Sequence, residues 1–324
     1  MRRRIVKSAW IALCLAALAQ PVQAEEWPGG PIRVIVNAAP GGVADRAMRV
    51  MAPHMGEKLG AQIVVENRPG GEGYIGQQEV ARARPDGHTF LLSAGSMVII
   101  TPQLVPLPDF DPRKALVPVA PAVAIPMNLL VHPSVPVETA ADFINYAKAH
   151  PGKLAYGSAG SGTALHIAAE TFSHEAGIRM THVPYKGAGD ALKDFLGGHV
   201  DVLFDPGLAT QYIKTKRVKL LAVAGASRNP QFPDTPAMEE IGVKGVDGGP
   251  YFGIFAPRGT KPQTVRRVNE AITAVLERPE LRQQLVNMSL DVAPPMSAEQ
   301  FEAYLRNENT RYERLLPKLG IRGQ

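Results

Sequence analysis

Cysteine is almost absent: Cys14 is the only one in 324 residues. It stands in an apolar segment near the amino terminus, so a chain trimmed beyond that segment has no disulfide, thiol nucleophile or cysteine-held metal. A surplus of positive charge is also lacking once the first 24 residues are set aside. The formal charge of +5 comes largely from Arg2, Arg3, Arg4 and Lys7, which leaves 31 basic against 30 acidic side chains in the remainder. Nucleic-acid binding needs clustered Lys and Arg that release counterions, and that class is excluded. No apolar run approaches the roughly 20 residues that span a bilayer. The 31 glycines and 29 prolines are too few for a low-complexity chain.

What is present begins with an export signal. Arg2 to Lys7 form a charged start, Ala9 to Ala19 an apolar stretch, and Val22 and Ala24 the small residues of a cleavage site ahead of Glu25. The pattern predicts a secretory signal removed after Ala24 and a soluble periplasmic chain. The arginine cluster also fits twin-arginine export. Leu13 precedes Cys14 where a lipoprotein signal needs a small residue, so no lipid anchor is expected.

From Pro31 onward short β-branched runs alternate with amphipathic segments, the pattern of parallel α/β architecture. Ile32 to Val36, Ile63 to Val65 and Thr89 to Leu92 read as strands. Met48, Met51, Met55 and Leu59, three and four apart, define a helix face. The seven prolines between Thr101 and Pro126 exclude regular helix there. A second series follows: strands at Leu129 to Val131, Leu154 to Tyr156, Met180 to Val183, Val200 to Phe204 and Val218 to Val223. Its helices are Glu138 to His150, about Ala164 to Ala176, and Ala188 to Leu196. Pro262 suits a first helical position, and Ser297 with Gln300 forms a capping box. There is no repeat of fixed period. The reading is two α/β lobes with the tail packed on the first.

Two loops share one design, a strand, a glycine-rich turn and a helix start: Pro40 to Asp45, with Gly41 and Gly42, and Gly157 to Thr163. Glycine lets backbone approach a ligand, and the unbonded amides of a helix start attract anions without formal charge. Asp45 is either a first-turn acid favoured by the helix dipole or a holder of a ligand donor or water. Ser158, Ser161 and Thr163 are caps or hydroxyls for a carboxylate, with Gly160 and Gly162 supplying backbone. His166, one turn on, is a structural histidine or a ligand contact.

Catalytic readings fail on spacing. Gly71 to Gly76 matches G-x-G-x-x-G, yet residues 87–108, where the ribose-binding acid belongs, hold no Asp or Glu. Gly160-Ser161-Gly162 is not a nucleophile elbow, and His166 on the same helix is poorly placed as a triad base. The eight histidines show no zinc-ligand spacing. No enzyme activity, metal or cofactor is expected. A hydrolase with an unfamiliar site, and a receptor signalling to a membrane kinase, remain as alternatives.

Six motifs occur in order: Pro40-Gly41-Gly42 with Asp45-Arg46, Val65 to Gly70, Pro85 to Thr89, Gly157 to Gly162, His182 to Gly187, and Phe252-Gly253 with Ala256-Pro257. Together they resemble the extracytoplasmic substrate-binding receptors of tripartite tricarboxylate transporters, the Bug family, over nearly the whole trimmed chain. The resemblance implies a two-lobed periplasmic-binding-protein fold of type II, closing over a small carboxylate and delivering it to a membrane permease, most simply as a monomer. It implies that the loops at Pro40 to Asp45 and Ser158 to Thr163 face each other across the cleft, and that Asp205 lies nearby. Tyr185 and Lys186 are weaker candidates. Where the family commonly has Pro-Phe, Asn37 and Ala38 stand here, which predicts a larger or more polar pocket and a larger or less linear carboxylate, aromatic acids included. The expected lobes are residues 25–125 with 248–324, and 126–247 between them.

Overall fold

The computed structural model describes residues 27–225 and 228–321. The signal segment and its cleavage after Ala24 lie outside the described residues.

In chain order the strands are β1 (Ile32–Val36), β2 (Ile63–Asn67), β3 (Thr89–Ala94), β4 (Leu116–Ala124), β5 (Asn128–Val131), β6 (Ala155–Ser158), β7 (Thr181–Pro184), β8 (Val202–Asp205), β9 (Lys219–Val223), β10 (Phe252–Pro257) and β11 (Asp291–Val292). They form two sheets, one per lobe, in the orders β11-β4-β10-β3-β1-β2 and β7-β6-β8-β5-β9. β1 pairs in parallel with both β2 and β3, and β6 in parallel with both β7 and β8. β10 runs antiparallel beside β3, as β5 does beside β8. The lobes therefore share one wiring although no repeat is visible in the sequence.

Strands covered on both faces are mostly apolar; every residue of β3 is buried, Thr89 and Ser93 included. Helix Val43–Leu59 lays Met48, Met51 and Met55, each no more than 1% exposed, on the first sheet. It stops at Gly60, which adopts the left-handed conformation that favours glycine. Helix Ala298–Lys318 starts from the capping box of Ser297 and Gln300 and sets Phe301 and Leu305 in the first lobe's second core cluster. In the other lobe Phe143, Phe172 and Phe204 are fully buried around Tyr156.

The proline-rich stretch holds a strand that the sequence does not predict. β4 contains Pro118 and Pro121, opposite Phe255 and Gly253 of β10, with register shifts between Phe252 and Gly253 and between Ile254 and Phe255. On its other edge β11 pairs only with Val123 and Ala124, so the prolines meet an open edge where no donor is required. The chain crosses between lobes from β4 to β5 and again between β9 and β10.

Candidate functional site

In open α/β sheets ligands lie beyond the carboxyl end of the strand at which the winding reverses. β1 is that strand in the first lobe, with β2 on one side and β3 on the other, and the turn at residues 37–42 leaves its carboxyl end. Gly41 has φ +77°, which a side chain would strain. Its amide donates to Asp45 Oδ2 at 2.8 Å, and Arg49 Nε donates to Asp45 Oδ1 at 2.8 Å. The Gly42 amide donates to the Ala39 carbonyl at 3.1 Å. Both glycine amides are thus engaged inside the loop. The amides of Val43, Ala44 and Asp45, the first helical turn, have no acceptor among the described residues. Burial works against the Asp45 carboxylate, but the Gly41 amide and Arg49 outweigh it and hold the group below its ordinary range.

β6 occupies the matching position in the second lobe, and the second loop leaves its carboxyl end. Gly160 and Gly162 have φ +122° and +78°. The Gly160 amide donates to Ser158 Oγ at 3.1 Å, the Gly162 amide to His166 Nδ1 at 2.9 Å, and Thr163 Oγ1 to the Gly160 carbonyl at 2.7 Å. The amides of Ser161, Ala164, Leu165 and His166 have no acceptor among the described residues. Ser161 is exposed. The loop lies at the seam between lobes: a Cβ added at Gly162 would come within 2.8 Å of Leu104 Cδ1 in the first lobe, and Ile167 packs into a first-lobe core cluster.

Beneath the loop three rings are stacked. His182 lies 4.0 Å from His166 and 4.9 Å from Tyr156, centroid to centroid. His182 Nε2 is 2.6 Å from Ser158 Oγ, and the Tyr156 hydroxyl donates to Glu170 Oε1. Burial, with His182 alongside, lowers His166 to about 4; burial also lowers His182. Both imidazoles are neutral near pH 7.

Several residues singled out in the sequence thus turn toward the loop instead of outward. Ser158 is fully buried and bonds Gly160 and His182. His166 engages Nδ1 with Gly162. Asp205 is fully buried; its oxygens accept from the Gly207 amide at 2.9 Å and the Ala209 amide at 3.1 Å, so it shapes the turn after β8. Burial pushes its carboxyl up to about 6 against the pull of those amides. The Tyr185 amide donates to the Ser158 carbonyl at 3.0 Å, and Lys186 is exposed. His182, absent from the sequence candidates, entered only as part of a motif.

Asn37 departs from expectation. It is 3% exposed, and Nδ2 donates to the Gly73 carbonyl at 3.3 Å and Ser93 Oγ at 3.0 Å. It is turned into the lobe and does not form a polar pocket wall. Added Cβ atoms at Gly73 and Gly76 would lie 2.7 and 2.8 Å from its side chain, so two of the three dinucleotide-like glycines are explained by packing against Asn37.

Comparison with known proteins places this geometry. Residues 47–321 match the family described as "Tripartite tricarboxylate transporter family receptor". Protein BugT of Bordetella pertussis is 33% identical over 276 residues, covering 83% of this chain and 84% of that one. The solved periplasmic binding protein BugD is 31% identical with a TM-score of 0.76, over 92% of this chain and all of its own. An R. palustris protein solved with adipate is 29% identical with a TM-score of 0.79, over 92% and 100% of the two chains. The matching model thus describes a receptor family, and BugD is a periplasmic binding protein. With the matching model and the BugT likeness both spanning most of its length, the chain belongs to the tripartite tricarboxylate transporter receptor family.

Proposed function

We propose that this chain is an exported receptor that closes its two lobes over a small organic carboxylate and presents it to the membrane permease of a tripartite transporter. One observation carries the reading: each lobe holds a glycine loop at its winding reversal, with first-turn amides that have no acceptor among the described residues. A hydrogen bond to a charged group contributes about 1.5–3 kcal/mol. A few of them, less ordering costs, approach the roughly 8 kcal/mol of micromolar binding. The relative solved with adipate supports this ligand class.

The site combines Gly41, Gly42 and Asp45 with Ser158, Gly160, Ser161, Gly162, Thr163 and His166, and Asp205 supports the second lobe from behind. The lobes are residues 25–125 with 248–324, and 126–247, and closure brings both loops onto the ligand. Ala38, small where the family commonly carries Phe, leaves space for a bulkier acid. Residues 1–24 direct export to the periplasm and are removed after Ala24; among the described residues no helix is long and apolar enough to cross a membrane. The receptor works as a monomer.

Mass spectrometry of the small molecule that copurifies with the mature chain identifies the ligand. Calorimetry against linear dicarboxylates, tricarboxylates and benzoates then ranks the classes, and X-ray scattering follows closure. A panel without saturable binding, or binding without contraction, overturns the reading.

A further inference from the structure

A cavity of about 810 Å³ lies in the first lobe, and no residue of either glycine loop lines it. Its floor is apolar: Val98, Ile99, Leu116, Phe255 and Leu305 all line it, and each is no more than 5% exposed. Its rim is basic, formed by Arg113, Arg258 and Arg306 with Glu302 as the one acid. Asp111 holds Arg113 at 2.9 Å, and Glu302 holds Arg306 at 3.2 Å. Arg258 has no acidic partner among the described residues, and its Nη1 donates to the Lys114 carbonyl at 3.2 Å, which fixes it at the edge. The volume falls in the range of small-ligand sites, roughly 300–1,000 Å³.

We propose that this cavity is a second binding site, for an amphipathic monocarboxylate: an acid head on Arg258 and an aliphatic or aryl-aliphatic body of about eight carbons over Leu116 and Leu305. The chemistry is opposite to that of the interlobe site. An ion-paired head at the rim stays partly hydrated, whereas a second carboxylate on the floor would lose its water with no donor to replace it. Octanoate therefore fits and succinate does not. The inference is independent of what the glycine loops hold.

Calorimetry on the full mature chain tests it, with octanoate and succinate as probes, on the wild type, Arg258→Glu and Asp45→Ala, each checked for folding by circular dichroism. Arg258 is exposed, so its replacement leaves the core intact; Arg258→Gln serves if reversing the charge disturbs folding. Asp45 lies in the first glycine loop and does not line this cavity. The expected result is saturable octanoate binding, weakened at least tenfold in the Arg258 variant and unchanged in the Asp45 variant. The proposal is overturned by absence of octanoate binding, by indifference to Arg258, or by loss in the Asp45 variant.

Discussion

The imidazoles of His166 and His182 lie face to face, 10° from parallel with centroids 4.0 Å apart, and each is tied to the glycine loop above: His166 through the Gly162 amide and His182 through Ser158. Two such rings cannot both be charged, and a proton on His166 Nδ1 removes the acceptor that the Gly162 amide uses.

Acid should therefore loosen this loop. An unfolded histidine takes up a proton near pH 6.5, whereas His166 resists until about pH 4. Between those values the unfolded state holds more protons, so stability falls as pH drops across that window, by on the order of 3 kcal/mol for this group. Asp205 opposes it: its carboxyl is raised to about 6, so the fold gains stability as pH falls from 6 towards 4. Denaturation of the wild type and His166→Gln at pH 7 and 4.5 separates the two. The variant should lose less on acidification; an equal loss refutes the assignment.

Two of the left-handed glycines, Gly41 and Gly162, should respond differently to alanine. At Gly41 a Cβ meets nothing within 4 Å, whereas at Gly162 it meets Leu104. Gly41→Ala should cost about 1–2 kcal/mol of backbone strain and leave lobe closure intact. Gly162→Ala should in addition reduce ligand-induced contraction in scattering, and Leu104→Ala should restore it. Failure of that rescue would place the contact elsewhere.

Removing the Asp45 carboxylate unties the first loop. Asp45→Ala frees the Gly41 amide and the Arg49 guanidinium, and we expect a tenfold or greater loss of ligand affinity. Melting should shift modestly, in keeping with about 1–3 kcal/mol for a buried donor left unpaired. Arg49→Gln, which removes only the exposed side of the pair, should lose less. Equal losses in calorimetry would argue against the Gly41 bond as the ordering element.

Ser161→Ala should weaken binding less than Gly160→Val or Gly162→Val, because the Ser161 amide survives the change and the glycine geometry does not. A serine effect exceeding the glycine effects would transfer the grip from backbone to hydroxyl.

Much of this framework is legible in the residues. Helices Ala164–Ala176 and Ala188–Leu196 announce themselves through apolar spacing between glycines, and Ser297 and Gln300 form the reciprocal cap that their spacing predicts. β4 is hidden because Pro118 and Pro121 suppress the strand signal, and only the sheet shows that their missing donors meet an open edge. The glycine loops are visible in the sequence. Which amides remain available is not, since that depends on Asp45, Ser158 and His166 folding back on their own turns. The ring stack is equally hidden: residues 156, 166 and 182 come together only through the pairing of β6 with β7.

The common wiring of the two sheets has an evolutionary consequence. Each jaw rests on its own sheet, and the two touch where Gly162 and Ile167 meet the first lobe. Ligand preference can then drift one half at a time, and a chimera joining this chain's first lobe to a relative's second should inherit a mixed selectivity without a new fold.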